Sequence, residues 1–336
     1  MDSPNTQRDY FPTDGWRTSS PEAQQMDEAP LLKVDELIRA DYPDTHCLLV
    51  IRHGYIVFER YYDGYDLDKR RQVRSITKSF ISALIGIAFK EGFLTSLDQK
   101  IADLLPEYFT SDTDLRKKAI TLRHLLTMTA GLECDDSDSN FWLIRQHNDW
   151  AKAALDFPMV YEPGEQFVYD SAAMHLLSII LSRQTGLSAS QFAQTRLFEP
   201  LGMDVRRWPA DPQGNSEGAA GLTLTARDMA KFGYLYLSGG KWNGQEIVPE
   251  WFVKESTQEH SKGGNPEPAE YGYLWWVVTR FAAYCAAGYG GQYIFVIPDR
   301  DLVIVTTADH TLVPPPEAPV PLFFKHIVPA AHDAQR

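Results

Sequence analysis

Cysteine is scarce. Cys47, Cys134 and Cys285 are the three in 336 residues. An odd, scattered set gives no disulfide framework, and without a Cys-x-x-Cys pair it gives no zinc site. His-Glu-x-x-His and paired-histidine spacings are absent too, so a zinc hydrolase is disfavoured and no metal or other cofactor is expected. Gly-x-Ser-x-Gly is missing, which argues against a hydrolase built on a nucleophile elbow. There is no basic cluster and no Gly-rich phosphate loop. With a net charge of −13, nucleic acid and anionic membrane are poor partners. No apolar run reaches membrane-spanning length. The N-terminus, MDSPNTQRDYFPTDGWRTSSPE, is polar and lacks the apolar core of a signal peptide. A soluble, cytoplasmic protein is the expectation. Internal repeats are absent.

What remains is ordinary in bulk: 44% hydrophobic and 23% charged residues, enough for one large domain or two smaller ones. The informative stretch is Arg74 to Gly92, RSITKSFISALIGIAFKEG. Its apolar residues cover every face of a helix, which predicts a helix buried in the middle of a domain. Gly92 stops it, with Lys90 in the last turn. Ser75 and Lys78 stand at its start, three apart and so on one face. A serine needs a nearby base, and a lysine becomes one when burial disfavours its charge. Ser75-Ile76-Thr77-Lys78 is therefore a chemically sensible S-x-x-K site. The competing reading is a helix N-cap serine beside a solvated lysine. Ser238-Gly239-Gly240-Lys241 fits the same pattern but lies in a Gly-Gly turn with no apolar helix behind it, so context favours Ser75.

Along the chain, residues 1–30 read as an irregular arm and Leu31 to Ile38 as a short amphipathic helix. Cys47 to Tyr62 reads as two strands around a turn at His53-Gly54. Ser96 to Leu105, Thr121 to Met128, Trp142 to Leu155 and Tyr169 to Gln184 read as helices. Cys134 to Asn140 is an acidic loop whose spacing fails as a calcium site. Trp208 to Ala220 is a loop or crossover. Thr225 to Leu237 is a helix with a Thr cap, and Pro249 to Ser256 a short one. Tyr273 to Thr279, Tyr284 to Ala287, Gln292 to Ile297 and Leu302 to Thr307 are strand-like. Phe323 to Ala331 closes the chain as a helix. Strands at both ends and helices between them predict one sheet assembled from both ends, with a helical lobe inserted. The expected division is 31–75 with 208–336 as the sheet lobe and 76–207 as the helical lobe, the site lying between. Trp142, Tyr271, Trp275 and Trp276 are candidates for an apolar pocket lining or for plain core.

These residues resemble the serine β-lactamase and penicillin-binding-protein superfamily, on the side of the class C β-lactamases and their esterase relatives. The resemblance covers roughly residues 30 to 310. It is carried by Ser75-Ile76-Thr77-Lys78, by Tyr169-Asp170-Ser171 where the family has Tyr-x-Asn, and by Gly288-Tyr289-Gly290-Gly291-Gln292 followed by YIFVIPDRDLVIV. ITLRHLLTMTAGL, YEPGEQFVYDS and GLTLTARDMAKFG add to it in the right order. The fold it implies is α/β (α+β): an antiparallel sheet flanked by helices, plus an inserted all-helical lobe.

The resemblance implies Ser75 as the acylated nucleophile and Lys78 with Tyr169 as the proton-transfer pair. It implies an oxyanion hole from the N–H groups of Ser75 and Tyr289, and substrate contacts from Asp170, Ser171, Gly288, Gly290 and Gln292. Two departures bear on substrate. Ala286-Ala287-Gly288 stands where relatives carry Lys or His before Thr-Gly, and Ser171 replaces Asn. Both weaken the case for β-lactams and D-Ala-D-Ala peptides. The chain is similar instead to carboxylesterases and 6-aminohexanoate-dimer hydrolases of this fold. A carboxylesterase acting on small neutral esters is the first expectation. An amidase of the aminohexanoate type follows, then a β-lactamase or peptidase. A silent penicillin-binding sensor is the non-enzymatic rival.

Overall fold

A computed structural model describes residue 8, residues 10–133 and residues 143–332. The acidic loop Cys134 to Asn140 and Trp142 lie outside the described residues.

The N-terminal hairpin forms as its sequence predicts. Strand β1 (Thr45–Arg52) turns at His53 and Gly54, both with positive φ, into β2 (Tyr55–Tyr61). Such a turn matches the twist of the flanking strands. The short strands β3 (Arg71–Gln72) and β4 (Thr223–Leu224) pair with each other, and so do β5 (Lys241–Trp242) and β6 (Gln245–Glu246). The C-terminal part supplies β7 (Glu270–Tyr271), β8 (Trp276–Val278), β9 (Ala283–Gly288), β10 (Gln292–Ile297) and β11 (Leu302–Ala308). Together they make a seven-stranded sheet in the order β2-β1-β11-β10-β9-β8-β7, every pairing antiparallel. The two ends of the chain meet where β1 pairs with β11.

Helix α1 (Glu28–Asp41) extends the expected Leu31 to Ile38 segment at both ends. Helix α2 (Ile76–Lys90) is buried from Ile76 through Ala88 on every side, as an all-round apolar sequence requires. Its polar residues are satisfied internally. Ser79 and Ser82 donate to the carbonyls of Leu274 and Tyr273, both at 2.7 Å. Those contacts, with Leu274 in the left-handed region, keep Tyr273 and Leu274 out of the sheet, so the expected strand shortens to β8. Helix α3 (Leu122–Leu126) is capped by Thr121, α4 (Trp150–Asp156) by Asp149, and α5 (Ser171–Thr185) by Asp170. Helix α6 (Ala226–Leu237) starts at its Thr225 cap and lies on the sheet, followed by α7 (Glu250–Ser256). At Gly233 the approach is so close that a Cβ would stand 2.7 Å from Ile294 and 2.8 Å from Val303. Phe80 of α2 stacks on Phe232 of α6 at 3.7 Å, and Phe232 stacks on Trp275.

Two expected helices are shorter than their sequences suggested. Within Ser96 to Leu105 only Ile101–Leu104 is helical. Gln99 Oε1 accepts from the N–H groups of Thr95 and Ser96, and Ser96 Oγ from that of Asp98. Side chains that capture backbone donors in this way compete with helix. Of Trp142 to Leu155, Leu143 and Ile144 are helical, residues 145–149 interrupt the helix, and it resumes at Trp150, where Asp149 caps it.

Candidate active site

The backbone before Ser75 is held on both sides. Val73 donates its N–H to Leu222 O at 2.9 Å. Gly288, the last residue of β9, lies so near that a Cβ on it would stand 2.3 Å from Val73 O and 3.1 Å from Arg74 Cβ. Arg74 adopts φ +53, a conformation L-residues favour little. Its carbonyl accepts from Thr77 N–H and from Thr77 Oγ1 at 2.7 Å. A sharp turn thus delivers Ser75 to the mouth of α2.

Ser75 occupies the N-cap position but makes no capping hydrogen bond with its side chain. Lys78 Nζ donates to Ser75 Oγ at 2.8 Å instead. Lys78 is 1% exposed, its ammonium also donates to Ala219 O at 3.1 Å, and it lies 4.9 Å from the centre of the Tyr169 ring. The alternative of a capping serine beside a solvated lysine does not describe this arrangement. Tyr169 is buried, stacked on Trp276 at 5.7 Å and edge-on to Tyr271. Trp276 and Tyr271 therefore wall the site, whereas Trp275 sits in the core among Phe232, Tyr236 and Tyr284.

The other sequence-predicted residues divide. Ser171 opens α5 and is 2% exposed. Gly288 and Tyr289 stand at the end of β9 beside Ser75, with the Tyr289 side chain half exposed. Gly290 has positive φ, and its Cβ position is only 2.5 Å from His310 Cα. Two expected substrate contacts are braces in this geometry. Asp170 is buried and accepts from Ala173 N–H at 2.8 Å, capping α5. Gln292 is fully buried, its amide donating to Gly290 O at 2.7 Å and Ala308 O at 2.8 Å, so it fixes the turn after β9. Ala286 is buried opposite Ile294 of β10.

Sequence reasoning passed over the segment that carries Ala219. Ser178 Oγ donates to Ser216 O, Trp208 Nε1 to Glu217 O, and Glu217 N–H to Pro209 O. Gly218 N–H donates to His175 Nδ1 at 3.1 Å, so His175 carries its hydrogen on Nε2 and donates it to Asp211 Oδ2 at 3.1 Å. Burial works against the Asp211 carboxylate, but hydrogen bonds from His175 and Asn215 hold it below its usual range. Glu217 is 1% exposed and accepts from Arg145 at 3.0 Å through Oε2, while Oε1 has no hydrogen-bond partner. Burial pushes its carboxyl up, against the opposing charges of Arg145, His175, Lys78 and Arg74. A lone histidine inside an apolar helix was the available signal for this network; Glu217 had none, lying in a segment of turn composition. Among the described residues no cluster of three or more His, Cys, Asp or Glu could hold a metal ion. None of their helices is long and apolar enough to cross a membrane.

Known proteins share this architecture. The chain is 25% identical over 305 residues to the 6-aminohexanoate-dimer hydrolase of Paenarthrobacter ureafaciens, covering 82% of this chain and 77% of that one. It is 26% identical over 298 residues to an uncharacterized protein of Alkalihalophilus pseudofirmus, covering 77% and 82%. Among solved structures, a Bacillus anthracis protein provisionally assigned as a 6-aminohexanoate-dimer hydrolase superposes with TM-score 0.78 at 21% identity, covering 97% and 90%. EstCE1, a hydrolase with promiscuous acyltransferase activity, superposes with TM-score 0.69 at 16% identity, covering 85% and 94%. The Beta-lactamase family model matches residues 46–319, so the chain belongs to the Beta-lactamase family and has its fold.

Proposed function

We propose that this chain is a serine hydrolase that forms a covalent acyl-enzyme through Ser75, and that it acts as a carboxylesterase on small neutral esters. The observation that carries the reading is the 2.8 Å contact between Ser75 Oγ and the fully buried Lys78 Nζ. A neutral Lys78 amine accepts the serine proton along that line while still donating to Ala219 O. Tyr169, against the same ammonium, completes the relay to the leaving group. The N–H groups of Ser75 and Tyr289, at the helix mouth and the end of β9, receive the oxyanion. Donors of that kind contribute roughly 3–4 kcal/mol each.

Substrate choice follows from what β9 offers. Ala286 and Ala287 provide no cation and no hydroxyl. A charge-assisted hydrogen bond to a substrate carboxylate, worth roughly 1.5–3 kcal/mol, is not available from that strand. Esters need less activation than amides and tolerate the loss. Amide hydrolysis of the aminohexanoate-dimer type is the second reading, favoured by the similarity to the Paenarthrobacter ureafaciens enzyme over 82% of the chain.

Labelling with a fluorophosphonate followed by peptide mass spectrometry tests the nucleophile; an adduct on Ser171 or Ser238 overturns it. A panel of p-nitrophenyl acetate, p-nitrophenyl butyrate, nitrocefin and aminohexanoate dimer tests the substrate class. Efficient nitrocefin turnover overturns the ester reading.

A further inference from the structure

Beside the nucleophile, one end of the sheet gathers two arginines and two histidines, and among the described residues no carboxylate forms an ion pair with Arg71 or Arg74. His46 is the extra residue where the pairing of β1 with β11 shifts between Thr45 and Cys47. A bulge of this kind re-aims a side chain. Its ring stacks on Tyr65 at 3.7 Å, and the guanidinium of Arg71 lies 3.8 Å from the same ring centre. Both are too close to share one face, so Tyr65 is held between them. Arg74, the residue before Ser75, donates through Nη2 to His310 O at 3.0 Å and stands 5.8 Å from the Tyr289 ring centre. His310 in turn lies against Gly290, in the turn after β9.

Four buried polar atoms without a hydrogen-bond partner belong to this one group: His46 Nδ1, Arg71 Nε, Arg74 Nε and His310 Nδ1. Buried donors left unmade are costly, and a cluster of them needs an explanation. The neighbouring Arg70 pairs with Asp204, and Arg145 with Glu217, so carboxylate partners are at hand elsewhere. Asp309 and Asp63 are the nearby acids; Asp309 Oδ1 accepts from Thr311 N–H and Thr311 Oγ1 within its own turn. His46 is buried and forms the floor; Arg71, Arg74, Tyr65 and His310 are partly exposed around it. Burial, and then the charge of the nearby arginines, keeps both imidazoles below their usual range.

We propose that Arg71, Arg74 and His310, floored by His46, form a binding site for a small oxoanion next to Ser75. Two guanidinium groups with unused N–H bonds suit a carboxylate or a phosphate, whose oxygens match their planar forks. The oxoanion is either a carboxylate carried by the substrate, away from the scissile ester, or a free anion such as phosphate. The first source rests on the hydrolase reading above; the site itself does not. A cation pair on this side serves as the anchor that Ala286 and Ala287 lack, while neutral esters still react without it.

The test is a titration of the full-length protein with inorganic phosphate at low ionic strength, followed by calorimetry and by the imidazole resonances of His46 and His310. Saturable binding is expected, with the His310 resonance moving along the same curve. Arg71→Gln and Arg74→Gln are each expected to weaken it at least tenfold, and Arg71→Lys less. Absence of saturable binding to the unaltered protein overturns the site. So does binding of equal strength in the Arg71→Gln/Arg74→Gln protein. The histidine resonances of the unaltered protein decide the matter without any variant, so a misfolded mutant does not obscure it. The source is then separated with p-nitrophenyl hydrogen glutarate and p-nitrophenyl butyrate. Phosphate that raises KM for the half-ester alone identifies the substrate's carboxylate as the occupant. Phosphate that binds but affects neither ester identifies a free anion. If neither ester is turned over, the hydrolase reading fails while the phosphate titration still stands.

Discussion

Gly218 N–H donates to His175 Nδ1 at 3.1 Å, and the next residue, Ala219, accepts from Lys78 Nζ. The buried Asp211, by fixing the His175 tautomer, therefore helps to set the position of Lys78, the proposed base. This is the logic of outer partners that orient a reactive group without touching the substrate. His175→Ala leaves Gly218 N–H and the Asp211 carboxylate short of a partner. It is expected to cost about 1–3 kcal/mol of stability. It is also expected to lower kcat tenfold or more at temperatures where the variant is fully folded. A loss of stability with unchanged kcat would show that the network supports the fold alone.

Glu217 is the buried carboxylate whose charge bears on Lys78. An opposite charge favours the ammonium form of lysine, whereas the proposed mechanism needs the amine form to accept a proton from Ser75. Glu217→Gln removes that charge. The acid limb of the kcat/KM profile for p-nitrophenyl acetate is therefore expected to move to lower pH. A limb that stays in place, or moves up, contradicts the assignment. Arg145→Gln is the control: it keeps the Glu217 carboxylate but removes the cation paired with it, so it is expected to move the limb the opposite way, to higher pH.

The framework of this site was legible because it depends on local chemistry. The all-round apolar run behind Ser75, the Thr225 cap and the Gly290-Gly291 turn each declare themselves within a few residues. The assembly of one sheet from both ends of the chain followed from where the strands lie, although their order in it did not. The supports of Lys78 did not, because they are long-range. Ala219 is 141 residues from Lys78, and Gly218 is 43 from His175. No periodicity encodes such pairings. The bracing role of Gln292 was hidden for a related reason: its amide donates to Gly290 O and Ala308 O, and the second of these is 16 residues away. Arg71 and Arg74 carry no local signal of a site, since only the fold brings them to His46 and His310.

Gly288 is where β9 touches the turn that carries Ser75. A Cβ there meets a backbone carbonyl, Val73 O, at 2.3 Å, and backbone cannot give way cheaply. Gly288→Ala is expected to push the end of β9 from Ser75 and separate the two proposed oxyanion donors. Loss of one such donor costs roughly a hundredfold to a thousandfold in kcat. Ala287→Gly, a neighbouring change that adds no atom, serves as the control and is expected to have a much smaller effect. Equal activity of Gly288→Ala and the unaltered protein would remove β9 from the oxyanion hole.

His46 predicts an acid-sensitive step in stability. Burial first, and the charge of Arg71 second, lower its pKa to about 4, against about 6.5 for a free histidine. Above pH 6.5 the ring is neutral in both states and contributes no pH dependence. Between about pH 6.5 and 4 the unfolded chain binds a proton that the folded protein refuses. Stability therefore falls as pH falls, by at most about 1.4 kcal/mol per pH unit from this group. His46→Phe keeps a ring against Tyr65 and removes the titration. Urea melts at pH 7, 6, 5 and 4.5 are expected to show a flatter decline for the variant; identical slopes would exclude His46 as the source.

Lys78 and Tyr169 are expected to act as one unit. Their groups share a single site: the Lys78 ammonium lies 4.9 Å from the Tyr169 ring centre and 2.8 Å from Ser75 Oγ. Neither side chain is a good base alone near neutral pH, since free lysine and tyrosine titrate near 10. A relay that moves one proton from Ser75 and returns one to the leaving group fails when either member is removed. Lys78→Ala and Tyr169→Phe should each lower kcat for p-nitrophenyl acetate by orders of magnitude. The double variant should lose little more than the worse of the two, as residues working together do. Tyr169→Phe preserves the stack on Trp276, so its loss reports the hydroxyl rather than the packing. Losses that multiply in the double variant would separate the roles, leaving Lys78 as the base for Ser75 and Tyr169 as part of the pocket wall.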